Sequence, residues 1–66
     1  LENGRLLAAM QSLSKRERYI FLSKGLYEKS LSEIAHTLGI TYGAAAMSYH
    51  RTGKRLRDAV GGENRE

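Results

Sequence analysis

The chain of 66 residues contains no cysteine, no proline and no tryptophan. Without cysteine there is no disulfide framework, no zinc–thiolate site and no thiol nucleophile. Without proline, no ring clash or missing backbone donor breaks a helix from within, although Gly43 and Gly53 weaken the last helix by about 1 kcal/mol each relative to alanine. β-Branched residues are few and scattered, and no segment alternates polar and apolar residues over the length of a strand, so no sheet is expected. Long hydrophobic runs are absent too, and no stretch approaches the roughly 18 apolar residues needed to span a bilayer. The first apolar patch, Leu6 to Met10, is too short for a secretory signal and sits behind Glu2. These absences fit a cytoplasmic protein with no membrane partner. The chain has one domain at most. Its core must come from helix packing alone, because nothing else is there to staple it.

Acidic residues are also short in number. Seven Asp+Glu face eleven Lys+Arg, for a net charge of +4. Their placement matters more than the total. From Thr41 to Arg57 there is no carboxylate, and Arg51, Lys54, Arg55 and Arg57 follow one another beside His50. Such a basic block is either the footprint of a polyanion or a solvated helix face.

What is present reads as helices. Leu6, Leu7 and Met10 have helical spacing in a first segment of about Gly4 to Ser12, with Leu13 at its end. Ser14-Lys15-Arg16-Glu17 is a capping box, in which serine and the glutamate three residues on each satisfy a backbone donor. It opens a second helix that carries Tyr19, Ile20, Phe21 and Leu22 and ends near Gly25. Ser30-Leu31-Ser32-Glu33 repeats the signal, and Leu31, Ile34, Ala35 and Leu38 share one face of the helix it opens. Gly39 suits the left-handed residue that ends a helix. Ile40 follows as an apolar plug, and Thr41 caps a last helix from about Tyr42 to Val60. Ala45, Tyr49, Thr52 and Leu56 form the inward stripe of that helix. Gly61 and Gly62 stop it, leaving Glu63 to Glu66 as a frayed tail. The expectation is an all-α bundle of three to four helices over residues 1–62, followed by a disordered tail over 63–66.

Joined together, the third and fourth helices have the layout of a helix-turn-helix unit. Ala35 is small where the helices cross, Gly39 makes the tight turn, and Leu38 and Ile40 hold the turn to the core. A plain helical hairpin also uses glycine turns, but it has no need of all these features at once.

Several segments carry a resemblance. They are Ser12 to Arg18, Leu31-Ser32-Glu33-Ile34-Ala35, Leu38-Gly39-Ile40-Thr41, and His50 to Arg57. In this order they resemble region 4 of the bacterial sigma-70 family, closest to the small extracytoplasmic-function type, over about Leu6 to Val60. The resemblance implies a four-helix DNA-binding domain acting in transcription. Its last helix would enter the major groove of the promoter −35 element, and the domain would contact the flap of RNA polymerase core. The family's other domain, which melts the −10 element, is not matched in these residues. The resemblance therefore implies either a piece of a longer sigma factor or a standalone domain whose partner supplies the rest.

Carried over residue by residue, the base-reading positions fall on Thr41, Tyr42, Gly43, Ala44, Ala46 and Met47. His50, Arg51, Lys54 and Arg55, with Arg57 behind them, would meet phosphates. The reading stretch lacks the Arg, Lys, Glu or Gln that many relatives place there, so bidentate readout of guanine or adenine is closed to it. Apolar contact with thymine methyls and a close backbone approach at Gly43 remain open to it. Phosphate contacts position the domain without reading sequence.

Other residues have plainer uses. Tyr49 belongs to the core stripe, while Tyr42 points outward beside the cap. Ser30, Ser32 and Thr41 serve helix starts, which also present donors to phosphate. Lys15, Arg16 and Arg18 are solvated or meet phosphate or polymerase. Glu33 and His36 have the spacing of half a bundle metal site, but no second pair completes it, so no metal is expected. No carboxylate pair, nucleophile–base set or phosphate-binding glycine loop is visible, which argues against an enzyme, a cofactor or a small-molecule substrate. Two alternatives stand beside the DNA-binding reading. One is a protein-interaction module of the same fold that binds polymerase or an anti-sigma partner. The other is a LuxR-type response-regulator output domain, which shares the opening Leu-Ser-x-Arg-Glu pattern.

Overall fold

The computed structural model describes residues 2–61, with side chains from residue 4 onward. It is all-helical, and no strand occurs among the described residues. The order is α1 (Glu2–Gln11), α2 (Lys15–Gly25), α3 (Leu31–Leu38) and α4 (Tyr42–Gly61). The tail expected over 63–66 lies outside the described residues.

Each helix start is explained by the residue before it. The Ser14 box closes in both directions. Ser14 Oγ accepts from the Glu17 N–H at 3.1 Å, and the Ser14 N–H donates to Glu17 Oε1 at 2.9 Å. At Ser30 only half of the expected box forms, because Ser30 Oγ accepts from the Glu33 N–H at 3.0 Å while Glu33 does not reach back. Thr41 Oγ1 accepts from the Ala44 N–H at 3.0 Å, so the predicted cap of α4 is present.

The turn between α3 and α4 closes as its residues require. Gly39 sits at φ 69, ψ 33, in the left-handed region. The Gly39 N–H donates to the His36 carbonyl at 3.2 Å and the Ile40 N–H to the Ala35 carbonyl at 3.0 Å. This is the paired closure that satisfies the last carbonyls of a helix. Between α2 and α3 the chain turns at Glu28, whose φ of 58 is the one positive value at a non-glycine described residue.

The core is small and centred on α4, which packs against all three other helices. Leu13, Ile20, Ile34, Ala35, Ala45 and Leu56 are buried, as is Thr52. Of the inward stripe expected on α4, Ala45, Thr52 and Leu56 are fully enclosed and Tyr49 is half-buried. The Tyr49 ring stacks on Phe21 with centroids 5.6 Å apart and planes 25° apart. Ala35 is small where α3 meets its neighbours, as a close crossing needs.

The first helix forms where the spacing of Leu6, Leu7 and Met10 implies one, and Leu6 and Leu7 are 41% and 59% exposed. α1 lies along the far end of α4, and what anchors it is Leu13, just past its C-terminus, which is 4% exposed.

Candidate nucleic-acid interface

Four of the expected base-reading residues lie in the first turn of α4 or just before it. Thr41, Tyr42, Gly43 and Ala44 are all exposed. Met47, one turn on, is also exposed, at 56%. Ala46 differs from the others. It is half-buried, at the border between the buried stripe and the exposed strip. On an ideal helix of 3.6 residues per turn, Gly43, Met47 and Lys54 fall within about 40° of one another on the side opposite the core. His50 and Arg51 flank that line, one on either side. These residues form one continuous outer strip, and no element packs over it.

The basic residues behind the strip are not equally available. Arg51 is exposed and forms no ion pair among the described residues; its Nη2 donates to Met47 Sδ at 3.4 Å. Arg57 is exposed as well. Lys54 Nζ lies 3.2 Å from Asp58 Oδ2, in a pair whose side chains are 69% and 58% exposed. A pair that open to water is worth little, and an incoming phosphate can replace the carboxylate. Arg55 is more constrained. Its Nη1 lies 3.3 Å from Glu17 Oε2, with Glu17 at 33% exposure. Arg55, expected to meet phosphate, also ties α4 to the start of α2. Nothing local in the sequence signals this pairing, because the partners are 38 residues apart.

Glu17 therefore carries two loads. Its carboxyl is held below its ordinary value near 4.5, first by the Ser14 backbone N–H and next, against the opposing effect of desolvation, by the Arg55 charge. His50, at the other flank, places its ring edge-on to Tyr49 with centroids 5.6 Å apart. A shallow open groove runs between the start of α2 and α4, lined by Ser14, Arg16, Glu17, Ala44, Met47, Ser48 and Arg51. Arg16 and Ser48 thus border the strip. Arg16 is among the residues expected to be solvated or to meet phosphate or polymerase, and no motif marks Ser48. Periodicity carries that signal, since Ser48 lies one turn beyond Ala44 on the same edge.

On the opposite side, Leu6, Phe21, Gly53, Leu56, Arg57, Val60 and Gly61 border an apolar groove between α1, α2 and α4. No group of three or more His, Cys, Asp or Glu that could hold a metal occurs among the described residues, and Glu33 and His36 remain an isolated exposed pair. Among the described residues, no helix is long and apolar enough to cross a membrane.

A short amphipathic helix, a left-handed glycine turn and a capped second helix with an open, base-flanked outer face make a helix-turn-helix arranged for DNA. Neither a curated protein nor a solved structure matches the chain significantly. The family model described as "Sigma-70, region 4" matches residues 3–56, and the chain belongs to that family of helix-turn-helix domains, which bind DNA in transcription.

Proposed function

We propose that this domain recognises the −35 element of a promoter in double-stranded DNA and contacts the flap of RNA polymerase core. In this reading α4 lies in the major groove. Thr41, Tyr42, Gly43, Ala44 and Met47 face the base edges, and Arg51, Lys54 and His50 face phosphates. The observation that carries it is the outer strip of α4, which is open from Thr41 to Lys54 and free of carboxylates until Asp58. α4 spans 20 residues, or about 30 Å, more than enough to reach the groove floor while its far end stays on the bundle. Ala46 borders the reading surface, and Arg55, paired with Glu17, also fixes how α2 meets α4.

The test is a footprint on promoter DNA with and without polymerase core, together with titrations of the domain alone at several salt concentrations. Protection upstream of the start site and affinity that falls as salt rises support the proposal. Binding that ignores salt, or protection unchanged by removal of the domain, contradicts it.

One observation favours a second reading, a protein-interaction module of the same fold. Lys54 pairs with the carboxylate of Asp58 and Arg55 with that of Glu17, so the phosphate-facing end is partly neutralised before any partner arrives. Capture of polymerase subunits with no footprint on any duplex selects that reading.

A further inference from the structure

Gly43 has no evident reason inside the protein. Its φ is not in the left-handed region, and a Cβ built on it would meet nothing closer than Thr41 Oγ1 at 4.0 Å. Glycine in a helix is less favourable than alanine, so the position gives up stability without any internal gain. Gly53, further along the same helix, is different. A Cβ there would rest 3.7 Å from Phe21 Cε1, in ordinary contact with the core. The bareness of Gly43 is therefore turned outward, toward whatever approaches the strip.

The residues beside it share a chemistry. Ala44 and Met47 are exposed on the same two turns, and neither side chain offers a strong hydrogen-bond donor or acceptor. The apolar feature that the major groove presents to such a surface is the C5 methyl of thymine. Methionine is unbranched and polarizable, which suits it to packing on a methyl at a surface that must close on contact. Its thioether is also held in place, since Arg51 Nη2 donates to Met47 Sδ at 3.4 Å. That leaves the other guanidinium donors of Arg51 free to meet the adjoining phosphate. The strip thus pairs an apolar patch with positive charge beside it, which complements a methyl-lined groove floor between phosphate walls.

We propose that the first two turns of α4 read DNA by methyl contact. Met47 and Ala44 pack on thymine C5 methyls, and Gly43 lets the helix backbone come close to the groove floor. This rests on the reading in which α4 enters the major groove.

The test starts from a random-sequence duplex pool selected on the domain. The bound fraction should be enriched in neighbouring thymines. Resynthesis of a selected duplex with uracil in place of those thymines keeps every phosphate and removes only the methyls. Affinity, measured by fluorescence anisotropy, should fall about fourfold for each methyl contacted. Met47→Ala should bring the thymine-to-uracil ratio toward one while leaving the salt dependence unchanged. Gly43→Ala should melt at the same temperature as the parent chain or higher and yet bind more weakly, whereas Gly53→Ala should bind as the parent does. No thymine enrichment, equal affinity for thymine and uracil duplexes, or a ratio that Met47→Ala does not change would each overturn the proposal while leaving DNA binding intact. No binding to any duplex would overturn the major-groove reading, and this proposal with it.

Discussion

At the scale of single residues, three positions carry measurable consequences. Gly39 sits at φ 69 with open space around its missing Cβ, so only backbone conformation penalises a replacement. Gly39→Ala should therefore cost about 1–2 kcal/mol in a denaturant titration, the price of a left-handed L-residue. Ser14→Ala removes one arm of a closed capping box and should cost about 1 kcal/mol. Glu17 gives a pH signature. Its folded pKa lies below its ordinary value near 4.5 because the Ser14 N–H, and after it Arg55, favour the charged form. A depressed carboxyl stabilises the fold fully above its unfolded pKa. That contribution is lost as pH falls below about 4.5 and through the lower folded value. Thermal unfolding followed from neutral to acid pH should show this loss, and Glu17→Gln should show a shallower acid slope than the parent. Equal slopes for the two chains would contradict the role given to Glu17.

At the scale of elements, the helix-turn-helix was plain in the sequence, because each of its signals is local. Ser30, Gly39, Ile40 and Thr41 each act within a few residues of chain, and the structure places them as read, except that Glu33 does not return its half of the Ser30 box. The inward stripe of α4 was legible for the same reason, since a period of 3.6 residues states which side is buried. Legibility ended where contacts are distant. The Glu17–Arg55 pair joins α2 to α4 across most of the chain, and no periodicity announces it. Leu6 and Leu7 have helical spacing, but spacing alone does not say how far a neighbouring helix covers them. Ala46 comes from a family pattern, which does not say that it lies half-buried at the border of the strip. These differences divide the basic residues of α4 by role. Arg51→Ala should weaken binding to every duplex alike and make the slope of log affinity against log salt shallower by about 0.9, the value for one phosphate contact. Arg55→Ala should change stability along with affinity, because it also releases Glu17. Salt-series titrations of the two variants, with melting curves alongside, distinguish these outcomes.

At the scale of the whole molecule, the domain has two contrasting faces. The outer strip of α4 is polar at its flanks, bare at its centre and positively charged beyond. The groove bordered by Leu6, Phe21 and Val60 on the other side is apolar. A small positive domain that meets DNA through charge should lose affinity steeply with salt, at a slope between about −2 and −4 if some or all of Arg51, Lys54, Arg55 and Arg57 reach phosphates. Amide chemical shifts of the labelled domain, followed by NMR as duplex DNA is added, test the central claim most directly. The account predicts that the largest changes fall on Gly43, Ala44, Met47, Arg51 and Lys54, while Leu6, Phe21 and Val60 stay near their free positions. Changes confined to the Leu6, Phe21 and Val60 side, with the outer strip of α4 undisturbed, would contradict it.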